Sequence, residues 1–149
     1  MSNLENKLKK IIDTFNNENR DTAYEDIKKL SVKYPKNINV LNVLSQIAQK
    51  NSDLDTAINS LKKILLLDKS NIECISKIYK LLLTKSLLDE ALANINLILR
   101  IDKDHYEAIR DKAYIHFIAT TIWPKNIILL NPKYIFIIPS LLKAGFFYV

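Results

Sequence analysis

The sequence has one glycine, at position 145, and that scarcity excludes more than any motif in it suggests. Phosphate-cradling loops, tight hairpins and nucleophile elbows use glycine where φ is positive or backbone must approach a ligand closely, so nucleotide-loop enzymes are set aside. One cysteine, Cys74, cannot close an internal disulfide. Long hydrophobic runs are also missing. The longest, Tyr134 to Ile138, falls far short of the ~20 apolar residues a membrane-spanning helix needs. Met1 to Lys10 is amphipathic and charged, unlike a secretory leader, and the expectation is a cytoplasmic protein.

Acidic residues are absent from one part of the chain only. Residues 1–111 hold 18 Lys and Arg and all 16 Asp and Glu, so that part carries +2 of the net +6. The rest comes from Lys112, Lys125, Lys133 and Lys143. The charge reports an acid-free C-terminal segment rather than a basic stripe with interleaved aromatics, and nucleic acid is not an expected partner.

What is present is a repeat. Thr22-Ala23-Tyr24-Glu25-Asp26-Ile27, Thr56-Ala57-Ile58-Asn59-Ser60-Leu61 and Glu90-Ala91-Leu92-Ala93-Asn94-Ile95 place alanines 34 residues apart. Each is followed by a second apolar position, Leu30, Ile64 and Ile98. Each segment reads as one amphipathic helix, ended at Tyr34-Pro35-Lys36-Asn37, Asp68-Lys69-Ser70-Asn71 and Asp102-Lys103-Asp104-His105. Another amphipathic stretch precedes each: Leu41, Leu44, Ala48, then Ile75, Ile78, Tyr79, Leu82. Leu8, Ile11, Ile12 and Phe15 complete the set if the turn after them is one residue shorter. Asn51-Ser52-Asp53 and Lys85-Ser86 mark the turns within the hairpins, and Asp53, Asp55 and Asp89 sit where carboxylates suit a helix N-terminus.

These residues resemble the tetratricopeptide repeat family, which shares the 34-residue period. Ile38 to Asn71 matches best, through Leu41-x-x-Leu44-Ser45-x-x-Ala48, Asp53-x-x-x-Ala57, Leu61, Ile64 and Leu67-Asp68. The family's tryptophan is replaced by Leu41 or Ile75, its glycine by Ser45 or Tyr79, and its proline survives as Pro35. The bulky Tyr79 implies a looser third hairpin. The resemblance implies an all-α solenoid of antiparallel helix pairs, about three and a half repeats over 4–120: 4–37, 38–71, 72–105 and a partial 106–120. Ile109 and Ala113 fall on the expected apolar face of the last.

Beyond it, 121–149 is apolar, acid-free and cut by Pro124, Pro132 and Pro139, with Lys125 where the repeat places its alanine. Three readings fit this segment: a cap on the last hairpin, a membrane-surface segment, or a degenerate end of a longer repeat protein.

No nucleophile, base and oxyanion donor assemble, so an enzyme, a cofactor and a metal site are all unexpected. His105 and His116 lack the spacing of a zinc pair. His105 reads as a solvated turn residue, His116 as partly buried packing, and Cys74 as an inert thiol. The resemblance implies a concave groove lined by the first helix of each pair, holding a peptide or protein segment. Its candidate residues are Lys9, Asp13 and Asn16, then Asn39, Asn42, Gln46 and Gln49, then Glu73, Ser76 and Lys80. The amides offer donors and acceptors to an extended backbone. Lys9 matches one position of the family's carboxylate-gripping groove, but Asp13, Val43 and Glu73 occupy others, which disfavours chaperone C-terminal tails. The expected function is a protein-interaction module. The alternative is the non-catalytic repeat portion of a larger enzyme such as a transferase.

Overall fold

Residues 3–17 and 19–122 are described in the computed structural model, and among them every regular element is an α-helix. In chain order these are α1 (Asn3–Asn16), α2 (Arg20–Lys33), α3 (Ile38–Lys50), α4 (Leu54–Leu67), α5 (Ile72–Thr84), α6 (Leu88–Ile101) and α7 (Tyr106–Ile122). Helices α1 and α2, α3 and α4, and α5 and α6 pack as hairpins; each later hairpin stacks on the one before through α2 on α3 and α4 on α5, and α7 packs on α6. Apart from its first two residues, the segment 121–149, with Pro124, Pro132 and Pro139, lies outside the described residues.

Recurring local chemistry starts and stops these helices. Asn37 Oδ1 accepts from the Val40 N–H at 3.1 Å, and Asn71 Oδ1 from the Cys74 N–H at 2.9 Å. One period later His105 Nδ1 accepts from the Ala108 N–H at 3.2 Å. His105 is therefore a helix cap rather than a solvated turn residue. Each such cap satisfies a donor that the first helical turn leaves open and contributes about 1 kcal/mol. Helices α3 and α5 end alike: the Asp53 N–H donates to the Ala48 carbonyl and the Leu87 N–H to the Leu82 carbonyl, both at 2.9 Å. Ser52 (φ 62°) and Ser86 (φ 58°) carry the left-handed residue that this closure requires.

The core follows the period. Ala23, Ala57 and Ala91 are fully buried, as are Ile27, Leu61 and Ile95 one turn on. Leu8, Ile11 and Phe15, all buried, precede Leu41, Leu44 and Ala48 by 33 residues, whereas Ala23 precedes Ala57 by 34. The lost residue falls between Phe15 and Ala23, in the shortened first turn. Tyr79, expected to loosen the third hairpin, is instead completely buried with its hydroxyl donating to Asp111 Oδ2 of α7 at 2.9 Å. At the other extreme Ile109, one period after Ile75, is 47% exposed, because no described helix stands beside α7 as α6 stands beside α5.

Candidate peptide-binding face

The first helices α1, α3, α5 and α7 each turn one stripe inward and one outward. On α3 the inward stripe is Val40, Leu41, Leu44, Ser45, Ile47 and Ala48. The outward stripe, Asn39, Gln46 and Gln49 with half-buried Asn42 between them, makes no side-chain hydrogen bond among the described residues. Four amides at i, i+3, i+7 and i+10 thus form one polar line along a single helix face. Lys9, Asp13 and Asn16 are exposed on α1, which touches α3.

On α5 the line continues through Glu73, Ser76 and Lys80, but it is already engaged. Glu73 Oε1 binds Lys77 Nζ at 2.6 Å, and that hydrogen bond and charge hold the carboxyl below its ordinary range. Lys80 Nζ reaches Glu107 Oε2 of α7 at 2.9 Å and lowers that carboxyl in the same way. Ser76 is half-buried between them. The α5–α7 end of the face is a closed ion-pair lattice, whereas the α3 part presents unspent donors and acceptors.

Helix α7 adds positions that the sequence reading passed over. One period after Glu73, Ser76 and Lys80 come Glu107, Arg110 and Tyr114. Tyr114 is 61% exposed, and Arg110 pairs with Asp111 at 2.7 Å. Adding 34 to the α5 positions finds them, since the repeat continues to the end of α7.

The remaining reactive side chains are occupied in structure. Cys74 is buried, its thiol donates to the Leu61 carbonyl at 3.2 Å, and burial pushes its pKa up to about 11, which leaves a poor nucleophile. Burial, assisted by Lys112, lowers the pKa of half-buried His116. No group of three metal-ligating side chains occurs among the described residues. No described helix is long and apolar enough to cross a membrane.

Solved structures decide the architecture. A MamA structure (AMB-1) superposes with a TM-score of 0.66 at 17% identity, over 93% of this chain and 74% of that one. A second MamA crystal structure gives 0.65 at 15%, over 99% and 79%. The fold is a tetratricopeptide-type α-solenoid. The Yersinia enterocolitica type III secretion translocator chaperone SycD shares it, with a TM-score of 0.57 at 18% identity over 80% of this chain and 82% of SycD. A mutant MamA gives 0.61 at 19%, and there this chain spans 64% of the other's length. No protein-family model matches the chain. No curated protein sequence matches it.

Proposed function

We propose that this solenoid is a protein-interaction module that holds a polypeptide segment along its first-helix face, with Asn39, Asn42 and Gln46 as the principal contacts. The unpartnered amide line on α3 carries this reading. An amide presents a donor and an acceptor together, as does each peptide unit of an extended chain, so a line of amides meets backbone independently of sequence. Lys9 and Asp13 flank the line on α1 and supply charge selection. Glu73, Ser76 and Lys80 bound it on the α5 side, where the Lys80–Glu107 pair opens only for a ligand that replaces it. The role is binding without turnover. A buried free thiol at Cys74 suits the reducing cytoplasm.

A displayed random-peptide library selected on the wild-type protein tests the reading. Peptides recovered there should lose affinity about tenfold or more for an Asn39→Ala/Asn42→Ala/Gln46→Ala variant, since each buried polar partner left unmatched costs on the order of 1 kcal/mol. The replaced side chains are at least partly solvated, so the variant's melting temperature should barely move. Peptides that bind the variant equally well would exclude this face.

A further inference from the structure

The proposed peptide face leaves the outward side of the second helices unexplained. Helices α2 and α4 hold the same place in successive stacked hairpins, so their C-terminal ends, where the chain turns into α3 and α5, fall on one edge of the stack. On that edge Val32 is 81% exposed and Leu66 77% exposed, one period apart. Basic side chains stand one turn back on the same helix face, Lys29 before Val32 on α2 and Lys62 and Lys63 before Leu66 on α4, and Lys33 and Leu67 follow directly in sequence.

The charge around these two prongs is one-sided. Residues 29–36 and 62–69 contain six lysines and one acid, Asp68. Asp68 turns its oxygens back on the Ser70 N–H and the Asn71 side chain, and its one charge against six lysines leaves +5. All six lysines are exposed, and none is in an ion pair among the described residues. Lysines suit the carbonyl ends of helices. Nothing in that electrostatics calls for exposed Val32 and Leu66 beside them.

We infer that this edge is a docking surface for an anionic lipid bilayer. Its chemistry is that of an interfacial contact: apolar tips flanked by long cationic side chains, whose stems lie along the apolar layer while the ammonium groups stay among lipid phosphates. The tips stand out from the surface, so they offer a flat partner two points of entry and offer a peptide no groove. A second copy of the same edge is the wrong occupant, because it would set six lysines against six.

The test uses the full chain and sedimentation with vesicles of phosphatidylcholine alone or mixed with phosphatidylserine. The protein should partition onto the mixed vesicles only. Partition should fall about tenfold in Val32→Ser/Leu66→Ser, from lost apolar burial, and about fivefold for each of Lys33→Gln and Lys63→Gln. Helical content and melting temperature should be unchanged, since the replaced groups are solvated. The inference is overturned by absence of partition onto mixed vesicles or by equal partition onto neutral ones. Partition undiminished in all these variants overturns it too and places the contact elsewhere on the chain. Retention on polyglutamate without partition onto vesicles would assign the edge to an acidic polypeptide instead.

Discussion

The second and third hairpins have the same helix lengths, 13 and 14 residues, and the same left-handed serine closing the first helix, yet they hold themselves together differently. In the second, the position on α3 is a small buried Ser45, and Asp53 caps α4 through the Thr56 N–H at 2.9 Å. The same carboxylate accepts from the Thr56 hydroxyl at 2.8 Å and from Tyr24 of α2 at 2.5 Å, and these bonds hold it below its ordinary range, the Tyr24 bond contributing most. In the third, Tyr79 fills the position of Ser45, Leu87 stands in the place of Asp53, and α6 has no side-chain cap. Its Tyr79 hydroxyl and Lys80 point forward instead, to Asp111 and Glu107, while Lys85 reaches back to Asp55 and the Cys74 thiol to the Leu61 carbonyl. The tyrosine–carboxylate bond joins the second hairpin to the helix before it and the third to the helix after it. A repeat fold thus prescribes which positions are buried while leaving each hairpin to find its polar closure in whichever neighbour offers it.

Removing the forward tie should have the largest effect. Tyr79→Ala deletes a completely buried aromatic and should cost about 3–5 kcal/mol, and Tyr79→Phe, which removes only the bond to a carboxylate, about 1–3 kcal/mol. Ser45→Ala, at the matching position, removes a hydroxyl that donates to the Asn42 carbonyl and should cost under about 1 kcal/mol. Denaturant unfolding of the three variants compares the hairpins directly. Equal losses for Tyr79→Ala and Ser45→Ala would end the contrast.

Next come the alanines, where the hairpins should agree. Ala57 and Ala91 are both fully buried, so a leucine at either overpacks the contact and should cost about 1–3 kcal/mol. A melting temperature unmoved by either change would contradict the helix pairing seen here.

That agreement and that contrast also mark what was legible in the residues. The spacing of Ala23, Ala57 and Ala91 and the apolar stripes around them carry the helix pairs and the core, because burial recurs with the period. The shortened first turn was readable too, from the frame shift between Phe15 and Ala23. Tyr79 was not: its hydroxyl partner lies 32 residues away on the next repeat, and volume alone argued for looser packing. A separation of 27 residues likewise hid the Lys80–Glu107 pair, which turned one candidate ligand contact into an inter-repeat bond. His105 was misread because histidine is an uncommon cap, although its place one period after Asn37 and Asn71 was in plain view.

A smaller effect should come from giving the third hairpin the device of the second. Leu87→Asp places a carboxylate where Asp53 sits in the preceding repeat, ahead of an α6 first turn whose donors lack a side-chain partner. A new cap of this kind should stabilise the protein by about 1 kcal/mol. The reciprocal Asp53→Ala should cost about 1–2 kcal/mol, more than a simple cap, because the Tyr24 hydroxyl loses its acceptor as well. If Leu87→Asp leaves thermal stability unchanged, the position lacks the geometry that its place in the repeat implies.

The smallest effect should be the same in both hairpins, since it acts on a device they share. Ser52 and Ser86 hold φ near +60° in a chain whose single glycine is elsewhere, so serine occupies a conformation in which Cβ crowds the following carbonyl. Glycine would relieve about 1–2 kcal/mol of that crowding but would also give the unfolded chain more freedom, which returns about 0.5–1 kcal/mol. Ser52→Gly and Ser86→Gly should therefore each stabilise by a few tenths to about 1 kcal/mol, and valine at either place, stiff at Cβ and disfavoured at positive φ, should destabilise. Thermal melts of the four variants separate this from a solvent-exposure effect, which would not give glycine and valine opposite signs. Scarcity of glycine had argued against tight turns. The two serines show that a helix can be closed by a left-handed residue without it.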